Sequence, residues 1–88
     1  MREAAVKILY FAWLRQKVGA GEEDVSPPAA VNTVAALVAW LKVKSPAHAA
    51  AFANMQAVRV AINQEFADWN APIAADDEIA FFPPVTGG

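Results

Sequence analysis

The chain has 88 residues and a formal net charge of −2, with nine acidic and seven basic side chains, enough for one small domain around a single core. Hydrophobic residues make up 57% and charged residues 18%, which excludes a disordered chain, and the few scattered basic side chains exclude a nucleic-acid binder. With no cysteine at all, a disulfide scaffold, a Cys-ligated metal and a thiol nucleophile are excluded as well.

Arg2 followed by the apolar stretch Ile8 to Leu14 imitates a signal peptide, but Lys7 interrupts its start and Arg15 and Lys17 follow it. A cleavage region would be small and uncharged there. The longest apolar run, Val34 to Leu41, is far short of the ~18 residues a membrane span requires. A soluble, cytoplasmic protein is expected.

Val6, Ile8 and Tyr10 alternate with Lys7, Leu9 and Phe11, the period of a well-covered strand. Ala12 to Val18 predicts a short helical turn closed by Gly19. Glu22, Glu23, Asp24 and Val25 predict an acidic edge strand whose charges face solvent and discourage sheet-to-sheet pairing. Ser26-Pro27-Pro28 makes a loop. Asn32 or Thr33 then caps the main helix, with Val34, Leu37, Val38 and Leu41 on one face and Trp40 beside them. Lys42 and Lys44 suit its last turn, and Pro46 ends it.

Ala47 to Met55 predicts a second short helix. His48 is the single histidine, with no other histidine or cysteine to share a metal, so it reads as a surface or cap residue and no metal site is expected. Val58, Val60 and Ile62 mark a further strand, and Asn63-Gln64-Glu65 a turn. Phe66 to Trp69 is a short strand or an irregular crossing, and Asp76-Asp77-Glu78 a solvated turn before the last strand. The expected fold is α+β: one principal helix over a mixed sheet of four or five strands, as a single domain over residues 1–88. If the terminal strand lies centrally beside the first, this is the β-grasp, or ubiquitin-like, roll.

The end of the sequence is its most specific part. Glu78-Ile79-Ala80-Phe81-Phe82 reads as a strand entering a core. Pro83 and Pro84 cannot donate to a sheet ladder and stop it in an extended direction. Val85 and Thr86 carry that direction on to Gly87 and Gly88, so residues 83–88 form a thin, flexible diglycine tail. Glycines fit a tunnel too narrow for a Cβ, and the carboxylate on Gly88 is unhindered enough to attack an activated phosphate. Phe81, Phe82, Pro83, Pro84 and Val85 are apolar candidates for a partner surface. Neighbours on a strand point opposite ways, so one phenylalanine enters the core, and Phe82 is assigned to the partner.

Three stretches carry a family resemblance: Ile8-Leu9-Tyr10-Phe11-Ala12 with Leu14-Arg15 and Gly19; Val60 to Glu65; and above all Asp77 to Gly88. Together they resemble the small subunit of molybdopterin synthase, the MoaD-type sulfur carriers. Ubiquitin and the thiamine-pathway carriers share the fold and the terminal glycines but lack Phe-Phe-Pro-Pro-Val-Thr before them. Residues 26–57 match by helix pattern alone.

The resemblance implies a carrier cycle. A ubiquitin-activator-like adenylyltransferase couples the Gly88 carboxylate to AMP from ATP, and a sulfur donor enzyme displaces AMP to leave a C-terminal thiocarboxylate. The tail then enters the large synthase subunit, in a heterotetramer of two small and two large subunits. There its sulfur attacks cyclic pyranopterin monophosphate (precursor Z) to build the molybdopterin dithiolene. No cofactor is bound by the carrier, the catalytic acids and bases belong to the large subunit, and Arg15 matches a family position at the interface. Three other readings use the same tail: a protein modifier joined through Gly88 to a lysine, a sulfur carrier for thiamine or another thio-product, and an interaction domain whose glycines do no chemistry.

Overall fold

The computed structural model describes residues 5–84. Five strands form one mixed sheet in the order β2-β1-β5-β3-β4. They are β1 (Val6–Tyr10), β2 (Glu22–Val25), β3 (Arg59–Ile62), β4 (Glu65–Ala67) and β5 (Glu78–Phe82). β5 lies in the middle, parallel to β1 on one side and antiparallel to β3 on the other. β2 and β4 pair antiparallel at the two edges. This is the β-grasp arrangement expected from the sequence.

Period-two alternation decides which side chains enter the core. On β1, Val6, Ile8 and Tyr10 are buried while Lys7 is exposed. On β5, Ile79 and Phe81 are buried while Glu78, Ala80 and Phe82 are not. The helices α1 (Trp13–Val18), α2 (Val34–Lys44) and α3 (Pro46–Ala51) cover that inner face. Thr33 caps α2 by accepting the Ala36 N–H at 3.1 Å, and Val34, Leu37, Val38 and Leu41 form its buried stripe. α1 closes at Gly19, whose φ of 91° is left-handed and favours glycine. No helix among the described residues is long and apolar enough to cross a membrane.

Four expectations change. Pro46 does not simply end the main helix: α2 stops at Lys44, Ser45 is both its C-cap and the N-cap of the next helix, and Pro46 opens α3. A proline at the first helical position loses no hydrogen bond, because that N–H has no partner anyway. The stretch to Met55 is not one helix, since α3 stops at Ala51 and a single 3-10 turn follows at Met55–Ala57. The turn after β3 is two residues, Asn63 and Gln64, with φ of 52° and 72°, so Glu65 begins β4 opposite Ile62. Two left-handed residues are what a tight hairpin needs to match strand twist.

The fourth change is His48, which is not a surface residue. It is a buried polar side chain within the first turn of α3. The register that sets Ile8 opposite Glu23 turns Glu23 to the inner face, so this acid of the edge strand does not simply face solvent. It meets His48 Nε2 at 2.6 Å and accepts the Tyr10 hydroxyl at 2.7 Å, both on Oε1. Ser45 Oγ accepts the His48 N–H at 3.1 Å and lies 2.6 Å from Nδ1. Burial, followed by the hydrogen bond to Glu23, pushes the Tyr10 hydroxyl far above its ordinary range. Burial also pushes Glu23 up, but hydrogen bonds from His48 and Tyr10 and the nearby His48 and Lys44 charges outweigh it and hold the carboxyl below its usual value.

Candidate functional site

The site is built at the end of β5. Phe81 is fully buried, stacked on Tyr10 with ring centroids 6.1 Å apart and edge-on to Phe52 at 4.9 Å. It is therefore a core residue, and the expectation that it offers partner surface is corrected. Its parity with Ile79, also fully buried, fixes that direction. Phe82 points the other way, half-buried on the outer face with its ring 5.8 Å from that of Phe66. The two phenylalanines thus divide the labour: one roots the tail in the core, the other faces outward. Pro83 and Pro84 follow, both half-buried. Val85, Thr86, Gly87 and Gly88 lie outside the described residues.

The start of β5 is pinned by polar bonds. Asn63 accepts the Glu78 N–H through Oδ1 at 3.0 Å and donates through Nδ2 to Asp77 Oδ1 at 3.0 Å. Asp77 Oδ2 in turn accepts the Ala74 N–H at 2.8 Å. The acids before the last strand are thus in part structural, because Asp77 ties that turn to the β3–β4 hairpin.

Cross-strand register sets an apolar row on the outer face: Phe66 opposite Ala61, Ala61 opposite Ala80, and Ala80 opposite Leu9. Phe82 stands in the next row, opposite Arg59. The two alanines make a low floor and the phenylalanines a raised margin. Phe66 is 82% exposed and Phe11 49%, large apolar surface of the kind that marks interaction sites when it is contiguous. Phe11 also donates its N–H to the Phe81 carbonyl at 3.1 Å, so it sits beside the point where β5 ends.

Phe11, Phe66, Leu9, Ala61 and Ala80 were absent from the sequence-derived site. Their signal is two-dimensional: it appears only once strand order shows that the helices cover one face. Arg15 lies on α1 with its side chain exposed, just beyond the Phe11–Ala12 turn. Ala12 holds φ 57° and ψ −132° there, a conformation costly for any residue with a Cβ. Among the described residues, no group of three or more His, Asp or Glu side chains could hold a metal ion.

The ThiS family matches residues 8–88. The chain is 37% identical over 83 residues to the molybdopterin synthase sulfur carrier subunit of Escherichia coli (strain K12), covering 94% of this chain and 99% of that one. The putative molybdopterin converting factor, subunit 1, of Pyrococcus furiosus superposes with a TM-score of 0.76 at 27% identity, over 94% of this chain and 100% of that one. The small archaeal modifier protein 1 of Haloferax volcanii superposes with a TM-score of 0.72 at 27% identity, over 93% and 99%. With residues 8–88 matched and the ubiquitin-like fold shared almost end to end, the chain belongs to the ThiS family.

Proposed function

We propose that this protein is the sulfur carrier subunit of a molybdopterin synthase. The likeness to the E. coli carrier subunit, spanning nearly the whole of both chains, carries the reading. The architecture supports it. A central strand rooted by Phe81 ends beside an apolar sheet face, so a partner that docks on that face receives the tail from a fixed starting point.

In the proposed cycle a Gly88 carboxylate oxygen attacks the α-phosphorus of ATP in an adenylyltransferase, and pyrophosphate leaves. Sulfide-level sulfur delivered by a donor enzyme then attacks the acyl carbon, AMP leaves, and Gly88 carries a thiocarboxylate. Gly87 keeps the tip slim for the large subunit's active site, where the sulfur attacks cyclic pyranopterin monophosphate and water then cleaves the acyl–sulfur bond, leaving the sulfur on the pterin and a carboxylate on Gly88. Two carriers acting in turn supply the two sulfurs of the dithiolene, in an assembly of two small and two large subunits. Phe82, Pro83, Pro84, Val85 and Thr86 line the path into the partner, and catalytic acids and bases come from the large subunit.

The test is intact mass after incubation with ATP, an adenylyltransferase of this type and a sulfide source. A gain equal to one oxygen replaced by sulfur, mapped to the C-terminal peptide, is expected. A variant with one residue appended after Gly88 should show no gain and support no cofactor synthesis, and normal synthesis by it would sink the proposal. A second reading rests on the likeness to the archaeal modifier protein: Gly88 joined to lysines of other proteins. Adducts in cell extract that resist thiol and hydroxylamine would favour it.

A further inference from the structure

α2 is apolar on more than its buried side. Apart from Lys42 and Lys44 it contains only Ala, Val, Leu and Trp, with no acidic residue. Val34, Leu37, Val38 and Leu41 enter the core, but Ala35, Ala39 and Val43 face outward, Val43 at 88% exposure. A surface helix normally sets charged and polar residues opposite its apolar stripe, and the outward face of α2 lacks them.

Two open clefts lead from that face towards the end of β5. The first, of about 280 Å³, lies between Ala35, Val38, Ala39 and Lys42 on α2 and the half-buried Met55 and Trp69. The second, of about 540 Å³, shares Met55 and Trp69 and continues to Gln56 and Arg59. Arg59 stands opposite Phe82, the last residue of β5. Its Nη1 donates to the Gln56 and Val58 carbonyls, both at 3.0 Å, which leaves the Nε–Nη2 edge of the guanidinium for a carboxylate. Among the described residues no acidic side chain lines either cleft, and Asp68, next to Trp69, accepts the Asn70 N–H at 3.0 Å. An apolar floor of Met and Trp with a cation at each end is complementary to an acidic amphipathic helix. A second copy of α2 fits poorly, because it would set lysines against lysines.

The apolar row of the outer sheet face, Leu9, Ala61, Ala80 and Phe66, contributes nothing to either cleft, so a helix seated in the groove leaves that row free. One step of the carrier cycle needs such an arrangement. The acyl-adenylate forms while the tail lies in the adenylyltransferase, and the sulfur donor must reach it there, before water does.

Resting on the carrier reading, we propose that the groove between α2, Met55 and Trp69 docks an acidic amphipathic helix of the sulfur-donor protein, with Lys42 and Arg59 as its carboxylate partners. The test compares two sulfur sources for the full-length carrier with its cognate adenylyltransferase, ATP and dithiothreitol. One is inorganic sulfide, which needs no docking. The other is a cysteine desulfurase bearing a persulfide. There the terminal persulfide sulfur attacks the acyl carbon and AMP leaves; dithiothreitol then reduces the acyl disulfide, is itself oxidised, and frees the thiocarboxylate and the donor's cysteine. Intact mass follows the thiocarboxylate with time. Lys42→Glu should slow transfer from the persulfide protein about tenfold at low salt, and less at high salt. Ala39→Gln, which fills the groove without changing its charge, should slow it roughly fivefold. Both should keep the parental rate with sulfide, which also reports that they are folded, and Lys42→Arg should keep both rates.

Parental transfer from the persulfide protein in both Lys42→Glu and Ala39→Gln would overturn the donor site. Equal slowing with both sulfur sources would also overturn it, by placing the groove against the adenylyltransferase. If the wild type gains no sulfur even from sulfide, the carrier reading falls and the donor site with it.

Discussion

Replacing Phe81 by alanine should destabilise the domain far more than the same change one residue later. Phe81 is fully buried on the inner face between the rings of Tyr10 and Phe52, and truncating a buried phenylalanine costs about 3–5 kcal/mol.

 The two ring contacts it makes there, at about 0.5–1.5 kcal/mol each beyond area burial, place the loss towards the upper end of that range. A domain of 88 residues at about 0.05–0.15 kcal/mol per residue has roughly 4–13 kcal/mol in total, so the variant should be close to unfolding at room temperature. Phe81→Leu keeps most of the volume and should lose only about 1.5 kcal/mol. Phe82→Ala gives up a tilted contact with Phe66 on the outer face and should cost no more than about 1 kcal/mol. Urea unfolding of the three variants, at unchanged slope, measures all of these. Equal losses at the two positions, or a loss under about 1 kcal/mol for Phe81→Ala, would refute the assignment of inner and outer faces.

Three further outcomes follow from named contacts. Glu23 has its carboxyl held below the usual value in the folded state, so its contribution to stability is full above the unfolded value of about 4.3 and fades as pH falls through the depressed folded value. Urea midpoints measured from neutral pH downward should fall in that acid window, and Glu23→Gln should flatten the profile. His48→Ala removes a buried ring and its bonds to Glu23 and Ser45, and should cost about 2–3 kcal/mol in the same assay. Thr33→Ala removes the α2 cap and should cost about 1 kcal/mol.

The parts of this fold legible in the sequence were those carried by local periodicity. Val6, Ile8 and Tyr10 announce a strand, and Val34, Leu37, Val38 and Leu41 announce the buried stripe of a helix, without reference to anything distant. Alternation also shows that Phe81 and Phe82 must face opposite ways. The Glu23–His48 contact was not legible, because it joins residues 25 apart through a strand register and a helix placement that no local pattern encodes. Two cues pointed towards it: a tyrosine at a buried strand position needs a partner for its hydroxyl, and Ser45 stands three residues before His48, the spacing of a helix cap. The outer-face row failed to show for a related reason, since Leu9, Ala61, Ala80 and Phe66 come from four strands and become neighbours only in the assembled sheet.

The position of β5 also bears on how the protein is made. Every other strand precedes it in the chain, yet it supplies both of the central pairings of the sheet. Until residues 78–82 have been synthesised, β1–β2 and β3–β4 are separate two-stranded pairs with no strand to join them, and isolated two-stranded pairs are marginal in water. A chain broken off earlier cannot settle into a smaller version of the domain. It would also lack the outer face, because Ala80 and Phe82 join the rows contributed by the two halves. An unfinished product therefore presents neither the finished sheet nor its outer face. Completeness is checked by the sheet itself.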